Sequence, residues 1–194
     1  MQKIAQVISD IFNPLVIASM TFFLLVTASS ELNWLLKILA YVITLLFSSL
    51  IVFGYVFYLK YLGVVKSTEL VQREERIIPL TVALLSYALG YVLLTMLKMP
   101  LMLRGLMLCY AANTLMILII TRRWKISLHT TGIAGPIVAL TYQFGLVMIP
   151  FYSLIPLVGL SRIVSQRQQV PQVVAGGLLG LVMTALQLHF FLGR

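Results

Sequence analysis

Acidic side chains are scarce in this sequence: five Asp and Glu stand among 194 residues, beside two histidines and one cysteine. Each shortage excludes something. A single cysteine, Cys109, set in an apolar run, leaves no disulfide-stapled secreted module. So few carboxylates and imidazoles leave little from which to build a metal site, and neither a metal nor any other cofactor is expected. Charged residues of both signs make up only 10% of the chain, too few to clothe a water-soluble domain. Internal repeats, low-complexity stretches and linkers are also missing, so residues 1–194 read as one domain.

What is abundant is apolar. Hydrophobic residues make up 61% of the chain, and its mean hydropathy is +1.04. A hydrocarbon core of ~30 Å takes about 20 residues of apolar helix. That ruler marks spans at about 12–29, 34–59, 79–97, 101–121, 131–149, 151–162 and 173–192. The expected fold class is therefore all-α, a polytopic transmembrane helical bundle of six to seven spans. The first apolar run begins after Asp10 and already has the length of a span, so no cleavable signal peptide is expected.

Fourteen Lys and Arg leave a net charge of +9. Membrane-length apolar runs separate these cations, so they read as headgroup anchors and as ligands for an anionic substrate, not as a nucleic-acid surface. Counting spans places the N-terminus and the polar segments 60–78, 122–130 and 161–172 at one membrane face. That face carries Lys3, Lys60, Lys66, Arg73, Arg76, Arg122, Arg123, Lys125, Arg162 and Arg167, and the other carries Lys37, Lys98, Arg104 and Arg194. The positive-inside rule then puts the polar face in the cytoplasm, in a bacterial cytoplasmic membrane.

Three polar segments at one face, each bearing cations and one bearing a histidine, describe a phosphate pocket. Arginine suits the task because its planar fork donates several hydrogen bonds to a tetrahedral oxyanion and keeps its charge. The local order is Arg73, Arg76 and Pro79, then Ser127 and His129, then Ser161 and Arg162. In this order the chain resembles the type 2 phosphatidic acid phosphatase superfamily. The family's first signature, a Lys seven residues before Arg-Pro, is similar to KSTELVQREERIIP at 66–79, with Lys66 and Arg73 in register and Arg76 preceding its own proline by three. Its second, Pro-Ser-Gly-His, is similar to Ile126, Ser127, Leu128 and His129. Its third, Ser-Arg followed by His and Asp, is similar to SRIVSQRQQVPQ at 161–172. The resemblance spans roughly residues 60–180.

The resemblance implies a lipid phosphate phosphatase acting on a phosphatidyl or polyprenyl phosphate monoester. Arg76 would be the main phosphate ligand, with Arg73 and Lys66 in support, Arg162 from the third signature, and Ser127 and Ser161 as further donors. His129 would protonate the departing oxygen. The nucleophile position, however, holds Gln168, and the position that orients the nucleophile holds Gln172. A carboxamide has no basic nitrogen lone pair and forms no stable phosphoryl intermediate. Three explanations stay open: a histidine replaced so as to trap substrate, a non-catalytic homologue that binds or transports lipid phosphates, or attack by His129 itself or by an activated water.

Other residues have plainer readings. Arg122, Arg123 and Lys125 read as interfacial anchors, with Lys125 also within range of a ligand. Glu69, Glu74 and Glu75 read as ion-pair partners of nearby cations, and His189 as an interfacial residue on the far face. Asn113 and Gln143, inside spans, are expected to face the bundle interior. Tyr87 and Tyr91 read as core. Gly176 and Gly180 have the spacing that lets helices approach closely, either within the monomer or across a homodimer. Besides a lipid phosphate and membrane lipids, no partner is implied.

Overall fold

A computed structural model describes residues 2–65, 67 and 72–193; Lys66, Glu69 and Arg194 lie outside the described residues. Helices supply all the regular structure among them. They are α1 (Gln2–Ile11), α2 (Pro14–Ala28), α3 (Trp34–Leu45), α4 (Ile51–Tyr61), α5 (Ile77–Met96), α6 (Leu101–Thr121), α7 (Leu128–Phe144), α8 (Leu154–Val164) and α9 (Val170–Leu192). A π-helical turn, Leu46–Leu50, joins α3 to α4, and 3-10 segments Glu74–Arg76 and Gly145–Ser153 precede α5 and α8.

Local chemistry sets the starts. The Asn13 and Asn33 side chains accept from Leu15 N and Leu36 N at 3.0 and 2.9 Å, and Ser127 Oγ accepts from Thr130 N at 3.4 Å. Each satisfies a backbone donor that a first helical turn leaves open. Pro14 takes the first position of α2, where its missing N–H costs nothing. Gln169 and Gln172 close a capping box at the head of α9.

Five helical stretches are long and apolar enough to cross a membrane, or six if α1 and α2, bent by 41° at their junction, form one span. The longest of them, Leu128–Val164, folds back on itself. Thr141 Oγ1 lies 3.1 Å from Tyr152 Oη, and a Cβ on Gly159 would lie 3.5 Å from Thr130 Cγ2. These pairs are those of an antiparallel hairpin of α7 and α8. Its turn begins at Gly145, whose φ of +74° ends α7 in the left-handed region. Apolar content alone carries span five to residue 149, and the glycine stops it earlier. One correction follows: Gln143 is exposed near the end of α7, beside the turn, and does not face the interior.

The bundle is apolar outside and small or polar inside, the inverse of a water-soluble fold. On α9, Val174, Leu178, Val182 and Leu186 recur every four residues and are about half exposed. The opposite stripe, Gly176, Gly180 and Thr184, is buried. Such an exposed apolar belt is compatible with hydrocarbon as its solvent and with an integral membrane protein. The glycines bring α9 onto α7: a Cβ on Gly180 would stand 2.8 Å from Ala134 Cβ and Thr131 O. This stripe therefore serves packing within the monomer. Asn113 does face inward, donating to Thr184 Oγ1 at 2.9 Å and accepting from Gln187 Nε2 at 3.1 Å. Tyr87 and Tyr91 pack partly buried against the core. His189 is exposed at the far end of α9, its ring against Phe190.

The π-helical turn has a partner. Ser86 Oγ of α5 donates to Phe47 O at 2.6 Å, and Ser49 Oγ donates to Leu15 O at 2.8 Å. Before the turn, Ala40 and Ile43 are buried and belong with Phe22 and Leu25 of α2 to one cluster. After it, Val52, Val56 and Leu59 are the buried residues.

Candidate functional site

Four hydrogen bonds draw the three polar segments together at one end of the bundle. Arg76 Nη1 donates to Ile126 O at 2.9 Å, and Lys125 Nζ donates to Arg167 O at 2.7 Å. Ser127 N donates to Gln172 O at 3.1 Å, and Arg73 Nη1 to Arg123 O at 3.0 Å. After α8 the chain turns sharply: Arg162 O accepts from both Arg167 N and Gln168 N, and Gln166 takes a φ of +55°. That turn puts residue 168 back over Arg162.

The centre is a group of cations. Arg76 and Arg162 are each 1% exposed. They act electrostatically on one another, and both act on Lys125 and His129; Glu75 acts on Arg76 in the opposite sense. Lys125, at the water side, is pushed down to about 8, by burial first and then by Arg76, Arg162 and Arg167. Burying like charges together opposes folding, because each loses hydration and repels the other. An anion between them would remove the repulsion and accept hydrogen bonds from both guanidinium groups.

Beside these cations lies a second kind of space. An apolar cavity of about 180 Å³ runs between α2, α4, α5, α6 and α7, lined by Pro14, Ala18, Val56, Leu80, Ala83, Tyr87 and Tyr110 among others. His129, 8% exposed, is also in its wall. The imidazole thus stands at the border between a cationic site and an apolar one. Comparison with family models, curated proteins and solved structures gives no match. Reading this site therefore rests on its own chemistry.

The other sequence-selected residues divide. Gln168 is 7% exposed, and its Oε1 has no hydrogen-bond partner among the described residues. With Lys125, Arg167, Gln169 and Gln172 it lines an open hollow of about 590 Å³. Gln172 is adjacent, but its side chain accepts from Gln169 N at 3.1 Å in the α9 cap and so is engaged away from residue 168. Ser127 Oγ caps α7, and Ser161 Oγ donates to Val158 O at 2.7 Å, so both hydroxyls are spent on helix backbone. Arg73 is 39% exposed, paired with Glu74 at 3.0 Å, and braces the 122–127 loop from outside the buried group. Arg122 and Arg123 are exposed.

Lys125, read both as an anchor and as within range of a ligand, is half-buried beside the two arginines. One contributor lies beyond the sequence reading. Ser9 of α1 is 1% exposed and accepts a hydrogen bond from Arg162 Nη1. The alternation of Ile4, Val7, Ile8 and Ile11 with Lys3, Gln6 and Asp10 was the available signal for α1. Ten residues are too few for a membrane-length ruler to register.

Proposed function

We propose that this protein binds a lipid phosphate monoester at a site of the type 2 phosphatidic acid phosphatase kind, and that as written it holds the ester without hydrolysing it. One observation carries the reading: His129 is shared between a buried cation group and an apolar cavity. A lipid phosphate has this polarity, an oxyanion for Arg76, Arg162 and Lys125 and a tail for the cavity. The two arginines fork onto the phosphate oxygens while Lys125 adds a point charge. Backbone N–H groups at the head of α7 add the positive end of a helix. His129 is placed to protonate a departing alkoxide at the mouth of the cavity.

Hydrolysis needs a nucleophile in line with the leaving oxygen, and the family resemblance assigns that position to Gln168. Its amide donates or accepts hydrogen bonds but offers no basic lone pair. The membrane orientation belongs to the same proposal: Lys3, Lys60, Arg122 and Arg123 at the site end favour a cytoplasmic site face in a bacterial cytoplasmic membrane. The test is phosphate release from a phosphatidic acid or a polyprenyl phosphate in mixed micelles, together with binding of the same lipid. The chain should bind and release nothing, Gln168→His should gain release, and Arg162→Gln should lose binding. Turnover by the unaltered chain would remove Gln168 from the nucleophile position. Equal binding by Arg162→Gln would remove the phosphate site.

A further inference from the structure

The ten residues of α1 divide into three faces at helical spacing. Ala5 and Ser9, one turn apart, are buried on the side that packs on α8. Ile4, Val7 and Ile11 form an apolar stripe, each more than half exposed. Lys3, Gln6 and Asp10 form a polar stripe, Gln6 Nε2 donating to Asp10 Oδ1 at 3.0 Å. A helix has use for three such faces where protein, hydrocarbon and water meet. Its far end is fixed by the 41° bend into α2, where Pro14 sits so close to Gly132 that a Cβ there would approach to 2.7 Å. Gly132 is one turn beyond His129.

Ser9 touches both groups on which the anion site depends. Arg162 donates from Nη1 to Ser9 Oγ, and the Ser9 backbone lies beside the His129 ring. Arg162 comes from α8 and His129 from α7, so one residue of a third helix ties the two together. A carboxylate at this position would neutralise Arg162 and compete with an anion. A serine hydroxyl fixes the direction of the guanidinium and leaves its charge available. The backbone beside the ring bounds one edge of the imidazole.

We propose that Ser9 is a positioning residue of the anion site, and that α1 is a membrane-surface helix whose seat on α8 sets the directions of Arg162 and His129. The proposal rests on the lipid-phosphate reading above and adds to it that the site is complete only while α1 is seated. The experiment titrates inorganic phosphate onto the purified full-length protein and follows thermal unfolding. It compares the unaltered chain with Ser9→Ala, Ser9→Thr, Ala5→Leu and Arg162→Gln. Ser9→Ala should weaken phosphate binding about tenfold, the scale of one hydrogen bond to a charged group. Ser9→Thr keeps the hydroxyl and should restore most of that loss, whereas Ala5→Leu, which lifts α1 from α8, should match or exceed it. A purely structural role would lower the melting temperature of the phosphate-free protein and leave the phosphate dependence unchanged. That result, or binding by Ser9→Ala equal to the unaltered chain, overturns the proposal. If the unaltered chain and Arg162→Gln respond to phosphate alike, the anion reading itself fails and this proposal falls with it.

Discussion

Gly176→Ala offers a direct way to ask whether the α7–α9 contact shapes the site. A Cβ at Gly176 would lie 2.5 Å from Ser127 O and 2.5 Å from Thr130 Oγ1, about 1 Å short of ordinary contact. One of these neighbours is backbone, so relief must come from moving α9 away from the head of α7. That motion strains Ser127 N→Gln172 O, at 3.1 Å, and Thr130 Oγ1→Val173 O, at 3.0 Å. Overpacking of this kind costs about 1–3 kcal/mol. It also shifts His129, two residues past Ser127, relative to Arg162. With a lipid phosphate at about 100 times its dissociation constant, the unaltered protein should gain about 2.7 kcal/mol of stability. If misalignment weakens binding about tenfold, the variant should gain only about 1.4 kcal/mol under the same conditions. Thermal unfolding in detergent, with and without the lipid, reads both numbers. Gly54→Ala is the control, since no atom lies within 4 Å of its added Cβ, and it should be neutral or slightly stabilising. Full stability and full lipid response in Gly176→Ala, or an equal loss in Gly54→Ala, would refute the reasoning.

Phosphate affinity should depend on pH through Lys125. The folded protein holds this ammonium down to about 8 from the usual 10.5, so the charged form is the disfavoured one. That penalty is present below about pH 8 and is relieved as the pH rises from 8 towards 10.5, the range in which the unfolded chain still carries the proton. An anion favours the charged form, so calorimetric affinity should be level from about pH 7, where the phosphate has lost its second proton, to pH 8, and fall by up to about tenfold per pH unit above it. Lys125→Met should flatten the profile. Adding Gln172→Asp to Gln168→His should raise phosphate release further, by about 10²-fold, the lower end of what a positioned acid–base group supplies; equal rates in the single and double variants would deny residue 172 an orienting role. Asn113→Leu strands Thr184 and Gln187 inside the bundle and should cost about 0.5–2 kcal/mol in unfolding experiments, with phosphate affinity unchanged.

The spans were legible because hydrocarbon thickness imposes a length, and α6 begins and ends where its apolar run does. The site was legible in part, for a related reason: an arginine that cannot reach water needs a purpose. Of the two candidates in the first polar segment, the sequence favours Arg76, and it is Arg76 that is buried. Arg73 has Glu74 beside it and stays outside with its ion pair. The two serines were less legible, since a serine before a helix reads equally as a cap and as a phosphate donor, and the local backbone claims both hydroxyls. Ser9 was hidden for a different reason. Nothing in its own segment marks it, and its role exists only through residues more than a hundred positions away.

The π-helical turn at Leu46–Leu50 bears on how the apolar cavity is encoded. One additional residue per turn rotates everything after it by about 100° relative to an uninterrupted α-helix. The half that begins at Trp34 thereby keeps Ala40 and Ile43 in the core with α2, while the half that ends at Tyr61 presents Val52 and Val56 to the cavity wall. Removing a single residue between 46 and 50 would leave every wall-forming side chain in the gene and still turn the wall towards the lipid. The cavity is in this sense a matter of phase: it is written in the number of residues between two helical halves more than in their chemistry. An alignment that slides a gap through this turn would preserve hydropathy while scrambling which residues meet the cavity.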